Sequence, residues 1–365
     1  MEKTIQTKQL KRIEYIDMAK ALGMLTIVWG HILLEGWSNI YVYSFHIPLF
    51  FFLSGMMFDG GKYHSLVELI KRRWKTLLLP YLMFSIVTWI IWAIVQVVLH
   101  KNVDIWNPLL QTFISQGSGA FMKHNLTLWF VTCLFVVEIA YYFINKLPQW
   151  ANLLICVIIS IVGVWIHKGG YIDVFRLLPW NIENATISLL FYAGGNLLVH
   201  FIPINALHDK VSSKKHLTII GIIISTILLY FLAMYNGRVS VGSNIMGKSP
   251  ALFYVNGFWG TFVCIALSII ICGISYKTKI FKTLYDYLQW FGCNSFFVMA
   301  SHYPIKVVCS TIVMKICHVS AVSNSVKYSL ITFIMVIAID SLLVLYICKL
   351  KEKNHQWMVR KQKRD

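Results

Sequence analysis

Long apolar stretches alternate with short polar connections along almost the whole chain of 365 residues. Most of these stretches approach the roughly 20 residues that an α-helix needs to cross the hydrocarbon core of a bilayer. The pattern predicts an all-α polytopic membrane protein with about ten transmembrane helices. The predicted spans lie at residues 17–37, 41–58, 76–99, 126–145, 151–167, 184–200, 217–237, 250–276, 288–313 and 328–348.

The polar connections between these spans are too short to hold an independent hydrophobic core of the usual domain size. We therefore predict no separate soluble domain, with residues 1–349 forming one membrane domain and residues 350–365 forming a basic cytoplasmic tail. A polar break inside the predicted span 288–313 marks a candidate re-entrant bend. Any chemistry is expected within the helix bundle or at its faces.

Composition agrees with a membrane protein, because 58% of the residues are hydrophobic and only 13% are charged. Soluble domains carry about 25% charged residues. A net charge of +18 is compatible with a nucleic-acid partner, but most of the 33 lysines and arginines fall in segments that face the cytoplasm when the N-terminus does. That asymmetry is typical of the positive-inside rule, with a secondary attraction to anionic lipid headgroups. We predict a multi-pass protein of the inner (cytoplasmic) cell membrane with both termini in the cytoplasm and no nucleic-acid partner.

The eight cysteines lie in apolar segments and form no Cys-x-x-Cys pair. They are interpreted as small buried hydrophobic residues. Neither a disulfide framework nor a metal site is predicted.

Ionisable side chains interrupt the first two predicted spans, where each costs a few kcal/mol unless it faces a polar cavity. Lys20 and His31 are eleven residues apart, so on one helix they project within about 20° of each other and lie about 16 Å apart. Glu35 follows His31 at the i+4 position, from which a carboxylate can orient an imidazole. His46 opens the second span, and a short connection is expected to return it to the His31 end of the first helix. These residues and Asp17 are candidates for chemistry.

A basic run containing Lys71, Arg72, Arg73 and Lys75 precedes the third span. Guanidinium groups suit phosphate oxygens, so a phosphorylated cofactor entering from the cytoplasm is one interpretation. An ordinary positive-inside cluster that holds lipid headgroups is the other, and composition favours neither.

Polar residues also occur in later spans. Asn294, Ser295 and His302 share one predicted span and indicate a polar interior. Glu138 and Asp340 are each expected to pair with another helix.

Five segments of this chain together resemble acyltransferase family 3, and most closely its fucose 4-O-acetylase-like branch. The likeness spans nearly the whole chain and is most specific in the first 80 residues. The segments are Asp17…Lys20…Gly30-His31, Phe45-His46-Ile47-Pro48, the basic run ending at Pro80-Tyr81, Leu128-Trp129-Phe130, and Gly292-Cys293-Asn294-Ser295…His302.

The resemblance implies an acyl-CoA-dependent O-acetyltransferase. Its donor would be acetyl-CoA, and its acceptor a hydroxyl of a cell-surface or secreted polysaccharide or of the lipid-linked precursor. His31 matches the essential histidine of the family, as general base or acyl acceptor, and Lys20 stands where many members carry arginine. The implied site residues are His31, Glu35 and His46 for catalysis, Lys20, Arg72, Arg73 and Lys75 for the cofactor, and Asp17, Trp129, Asn294, Ser295 and His302 for the substrate.

Two alternatives stay open at this point. A proton-coupled transporter or flippase of a lipid-linked sugar would use membrane histidines as relays, but the inverted repeats and matching broken helices expected of it are not visible in the sequence. An acyltransferase that uses succinyl-CoA or a small-molecule acceptor fits the same residues. The sequence specifies neither the acceptor sugar nor the oligomeric state.

Overall fold

The chain folds into a bundle of helices with one small strand pair. The computed structural model describes residues 13–116, 122–168, 178–243, 245–274 and 278–362, with side chains as far as residue 350. Within these ranges the helices are α1 (Glu14–Ile32), α2 (Trp37–Tyr43), α3 (His46–Met56), α4 (Leu66–Arg73), α5 (Leu79–Val98), α6 (Trp106–Ile114), α7 (Trp129–Ile144), α8 (Gln149–Lys168), α9 (Ile182–Phe201), α10 (Ile204–Ser213), α11 (Lys215–Asn236), α12 (Pro250–Cys272), α13 (Lys279–Cys293), α14 (Ser295–Cys317) and α15 (Val326–Gln362). Strands β1 (Val239–Ser240) and β2 (Ile245–Met246) pair antiparallel in the connection between α11 and α12.

Seven helical segments of the described chain are long and apolar enough to cross a membrane, or eight if the bent pair α9–α10 counts as one span. This number is smaller than the ten predicted from the sequence. The difference lies in the first two predicted spans. Helix α1 carries Glu14, Asp17 and Lys20, and α3 has only 11 residues.

Burial separates an inner set of helices from an outer set. In the most apolar window of the α7 segment 72% of the residues are buried, against 11% in α11. Helix α1 is buried along most of its length, and so is α3. Of the charged residues of α1, Asp17 is buried and Lys20 half-buried, as expected of ionisable groups in a membrane bundle, whereas Glu14 is exposed.

Two glycines bring α3 and α9 into backbone contact. A Cβ atom at Gly55 would collide with the carbonyl of Tyr192, and a Cβ atom at Gly195 would collide with the carbonyl of Phe52. Small residues at such crossings allow close van der Waals packing, which drives helix association where no hydrophobic effect operates between helices. This contact holds α3 against the bundle although α3 is too short to span it.

The polar break predicted inside span 288–313 lies at Asn294, between α13 and α14. Helix α13 is amphipathic, with Ile280, Phe281 and Leu284 exposed beside Lys279 and Lys282. That composition is typical of a helix lying in the membrane interface. The apolar span itself is α14, so the predicted span joined two different elements.

A π-helical turn, residues Trp74–Leu78, connects α4 to α5. The N–H of Leu79 bonds to the carbonyl of Trp74, five residues back, instead of four. Pro80 follows and donates no backbone hydrogen bond. Such turns are rare and occur frequently at functional sites.

Candidate functional site

A cavity of about 240 Å³ lies inside the bundle, between α1, α3, α7 and α14. Apolar side chains such as Met24, Ile27 and Phe50 form most of its wall. Charged side chains also line it, and they come from α1, α4 and α7: Lys20, Arg73 and Glu138.

Helices α1 and α14 run side by side in the same direction along this cavity. At one end, Gly292 lies against α1 so closely that a Cβ atom there would collide with the carbonyl of Asp17. Towards the other end, the rings of His31 and His302 meet. The cavity therefore has a charged end near Lys20, and its other end is lined by Ile27 and Met299, one helical turn before His31 and His302.

Both cations at the charged end are paired with carboxylates. Lys20 Nζ lies 3.3 Å from Asp17 Oδ1, and Arg73 Nε lies 2.6 Å from Glu138 Oε2. The Glu138 side chain is only 3% exposed, whereas that of Lys20 is 30% exposed. The expectation that Glu138 pairs with another helix is confirmed. Asp340 likewise accepts a hydrogen bond from Ser301 of another helix, at 2.6 Å.

The structure divides the four residues predicted to bind the cofactor. Lys20 and Arg73 line the cavity, whereas Arg72 and Lys75 lie exposed on the surface of the bundle. Arg72 stacks over the ring of Tyr63, with 5.8 Å from its guanidinium carbon to the ring centroid. Successive residues of a helix point in different directions, so only one arginine of the run turns inward.

At the histidine end, the ring centroids of His31 and His302 are 5.3 Å apart. His31 belongs to the last turn of α1, and His302 to the middle of α14. Tyr303 approaches His31 edge-on at 6.0 Å and Tyr43 at 6.3 Å. His31 is partly buried and His302 is completely buried. Two imidazoles thus meet where a reacting group can reach the first of them.

Backbone carbonyls hold two of the site's imidazoles. His302 Nδ1 lies 2.9 Å from the carbonyl oxygen of Val298, and His46 Nδ1 lies 2.7 Å from that of Val42. A carbonyl only accepts, so each Nδ1 carries the hydrogen and each neutral ring keeps its lone pair on Nε2. His302 Nε2 is buried and has no hydrogen-bond partner among the described residues. The hydrogen bond at Nδ1 therefore leaves Nε2 of His302 as the ring nitrogen that can take up a proton or accept a hydrogen bond.

Tyr43 links His46 to His31. Its ring lies 4.6 Å from that of His46 and 6.3 Å from that of His31. It packs over Gly30, where a Cβ atom would meet the tyrosine ring at 2.7 Å. The predicted return of His46 to this end of α1 is correct, but sequence reasoning missed the tyrosine.

The predicted helical relation between His31 and Glu35 is wrong, because α1 ends at Ile32 and Leu33 is extended. Asn39 stabilises this end: its Nδ2 donates to the carbonyls of Gly30 and Leu33, at 3.0 and 2.7 Å. Such capping satisfies carbonyls that the end of a helix leaves without partners. Glu35 lies exposed in the turn that follows.

The residues predicted to bind substrate are also divided. Trp129 and Ser295 line the cavity, and His302 belongs to the histidine pair. Asp17 instead accepts from Lys20 and from the thiol of Cys293, at 3.1 Å for the second contact. Asn294 joins α13 to α14, and its Nδ2 donates to the carbonyl of Trp290 at 2.8 Å. Asp17 thus connects α1 to α13, and Asn294 stabilises the junction of α13 and α14.

Sequence reasoning missed the two tyrosines and gave Glu138 only a pairing role. Tyr303 had a sequence cue, since it directly follows His302. Tyr43 had none, because it belongs to a different helix from both histidines it contacts. Among the described residues, no three His, Cys, Asp or Glu side chains are grouped as metal ligands would be, and all eight cysteines are free thiols.

Comparison with known proteins gives one match. The family model of acyltransferase family 3, described as an acyltransferase domain, matches residues 13–345. No curated protein and no solved structure matches the chain. The match runs from the start of α1 into α15, so it includes the cavity and both ends of it. The chain therefore belongs to acyltransferase family 3 and is a multi-pass membrane acyltransferase.

Proposed function

We propose that this protein moves an acetyl group from cytoplasmic acetyl-CoA to a hydroxyl of a cell-surface or secreted polysaccharide, or of its lipid-linked precursor. It would act in the inner membrane, as a member of the fucose 4-O-acetylase-like branch. One observation carries the proposal: a cavity is lined by cations at one end, and its other end lies one helical turn before the His31–His302 pair. The anionic head of an acyl-CoA donor would match the cations, and the reactive thioester at its far tip would match the histidine pair.

The size of the cavity supports an arm rather than a whole coenzyme inside it. Its 240 Å³ is below the roughly 300–1,000 Å³ of a pocket that encloses a drug-sized ligand. The narrow acyl-pantetheine arm would lie along the apolar wall. The nucleotide and its phosphates would stay at the mouth, near Lys20 and the exposed cations Arg72 and Lys75.

Arg73 fits this scheme differently from the other cations. Its guanidinium is already paired with the buried Glu138, so a phosphate would have to compete with a carboxylate. We assign Arg73 to the wall of the donor channel, where the pair with Glu138 holds α4 against α7. The exposed cations carry the larger share of phosphate binding.

Two chemical routes are compatible with His31. As a general base, it takes the proton of the acceptor hydroxyl while the oxygen attacks the thioester carbonyl, and the coenzyme leaves as a thiolate that takes up a proton. As a nucleophile, its ring nitrogen attacks the carbonyl first, the coenzyme leaves, and the hydroxyl then attacks the acyl-imidazole. In both routes the ring of His31 is oriented by its contacts with the rings of His302, Tyr43 and Tyr303.

The test uses the full-length protein in proteoliposomes with radiolabelled acetyl-CoA and polysaccharide from the source strain. We expect label in the polysaccharide with the wild type and with His216→Ala, which changes an exposed histidine far along the chain. We expect none with His31→Ala. Transfer retained by His31→Ala would remove this residue from the chemistry.

Two further arms decide the details. Acid-quenched protein without acceptor carries label if the acyl-imidazole route operates and none if His31 is a general base. Excess unlabelled succinyl-CoA leaves the transfer unchanged if the donor site prefers acetyl. Mass analysis of the glycan from strains with and without the gene should show a lost acetyl group; an unmodified glycan that accumulates on the wrong side of the membrane would instead indicate a flippase.

A further inference from the structure

Pro304 lies inside α14, two residues after His302, and the helix continues through it. Proline has no backbone N–H and therefore donates nothing to the carbonyl four residues back. That carbonyl belongs to Ala300, which is completely buried. A buried carbonyl without a partner is strongly disfavoured, so some other group must supply a donor.

The donor comes from a segment far away in the sequence. Asn125 Nδ2 lies 2.7 Å from the carbonyl oxygen of Ala300. Thr127 Oγ1 lies 2.9 Å from the carbonyl oxygen of Met299, the preceding residue of the helix. Asn125 is 0% exposed and Thr127 is 5% exposed. Two side chains of one short segment thus reach two consecutive carbonyls at the proline site.

The segment is itself anchored and adjoins the cavity. His124 Nε2 lies 3.0 Å from Ser85 Oγ of α5, and Thr127 lines the cavity. The segment leads through a 3₁₀ turn, residues Leu126–Leu128, directly into α7. It therefore connects α5 and α7 to the one turn of α14 that carries His302.

We propose that Asn125 is a positioning residue for His302, and through it for His31, with Thr127 supporting it on the same turn. The amide of Asn125 replaces the helical hydrogen bond that Pro304 removes. It thereby fixes the turn from Val298 to Pro304, which sets where the free Nε2 of His302 points. The catalytic part of this inference rests on the proposed function; the hydrogen-bond part does not.

The experiment is a double-mutant cycle between Asn125→Leu and Pro304→Ala. Asn125→Leu keeps the γ-branched shape but removes the donor. Pro304→Ala restores a backbone N–H four residues after Ala300 and makes the amide redundant. The control is Asn152→Leu, which removes another buried amide, one that donates to Tyr141 of α7 at 3.1 Å.

Full-length protein in detergent is first measured by its thermal unfolding midpoint, a readout that needs no activity. We expect Asn125→Leu to lower the midpoint in the wild-type background and to lower it much less in the Pro304→Ala background. Asn152→Leu should lower it equally in both. Equal losses for Asn125→Leu in both backgrounds would overturn the proposal.

The same variants are then measured for acetyl transfer. Misplacement of a reacting group by about 1 Å can cost about a hundredfold in rate. We expect Asn125→Leu to lower kcat at least about tenfold with little change in KM for acetyl-CoA, and Pro304→Ala to restore most of it. Coupled midpoints with no transfer by the wild type would refute the proposed function alone. Coupled midpoints with an unchanged kcat would overturn the positioning role.

Discussion

The charged end of the cavity and the histidine cluster beyond its other end are built from different chemistry. At the Lys20 end, both cations are held by carboxylates, Asp17 and Glu138. At the His31 end, two of the three imidazoles are held by backbone carbonyls, and the third lies among aromatic rings. The first end keeps charges in compensated pairs; the second keeps imidazole rings in fixed orientations.

The difference shows how one apolar bundle can contain both paired charges and a cluster of histidines. A buried ion pair tolerates low dielectric only when both partners are present. A neutral imidazole carries no such cost, and a carbonyl partner sets its orientation without adding charge. Substitutions should therefore damage the two ends in different ways: the charged end through stability, and the histidine end through rate.

The largest effect is expected from His31→Ala. General acid–base catalysis contributes about 10²–10⁴-fold, so transfer should fall by about that factor or more. The unfolding midpoint should change little, because His31 is only partly buried and belongs to none of the ion pairs found among the described residues. Acetyl transfer in proteoliposomes and thermal unfolding in detergent measure the two quantities side by side. A much lower unfolding midpoint with retained transfer would contradict the expectation that the histidine end acts on rate and not on stability.

Arg73→Gln tests the other end. Breaking a buried pair costs about 3–5 kcal/mol in the free energy of unfolding, because the buried Glu138 carboxyl group would be left without its partner. The double variant Arg73→Gln/Glu138→Gln should regain much of that loss. Denaturation of the purified variants in detergent measures it, and equal stability of the single and double variants would contradict the buried pair.

Gly292→Ala addresses the contact between α13 and α1 at the charged end. A Cβ atom there would collide with the backbone of Asp17, so we expect a loss of about 1–3 kcal/mol from overpacking. Gly221→Ala on α11 is the matched control, since nothing lies within 4 Å of its Cβ position. That change should leave stability equal or raise it by up to about 1 kcal/mol. Thermal unfolding distinguishes the two, and equal midpoints would place α13 further from α1.

The smallest effect is expected from Arg72→Gln. An exposed charge contributes about 1 kcal/mol or less, which corresponds to about fivefold or less in the apparent affinity for acetyl-CoA. Stability should not change. Lys123→Gln, another exposed cation, serves as control. Titration of acetyl-CoA at two salt concentrations measures the effect. An affinity identical to that of the wild type would mean that Arg72 only contributes to the positive-inside charge and does not bind the donor.

Much of the architecture could be predicted because the membrane restricts it. Eight of the ten predicted spans correspond to elements that pass the length and composition test or to the bent pair α9–α10. The two exceptions, α1 and α3, are surrounded by protein rather than lipid, so neither needs the length or apolarity of a lipid-facing helix. The charged residues of α1 and the short length of α3 are therefore compatible with their position inside the bundle.

The candidate site was only partly predictable. Ionisable residues in apolar surroundings point to Lys20, Arg73, His31 and His46. The first two line the cavity, and the two histidines belong to the ring cluster beyond its end. Glu35 is a candidate only if α1 continues for another turn beyond Ile32, which it does not. No local pattern reveals that Asn39 ends the helix by bonding to two of its carbonyls.

The sequence by itself determined the class of protein, most of its helices, and the placing of Lys20 and His31 on one helix. Hydropathy and helical spacing are local properties that any reader of the chain can evaluate. Only the tertiary structure decided that His31 meets His302, that Arg73 rather than Arg72 turns inward to Glu138, and that Asn125 supports the turn before Pro304. These are contacts between segments distant in the chain, and they follow from how the helices pack rather than from what each helix contains.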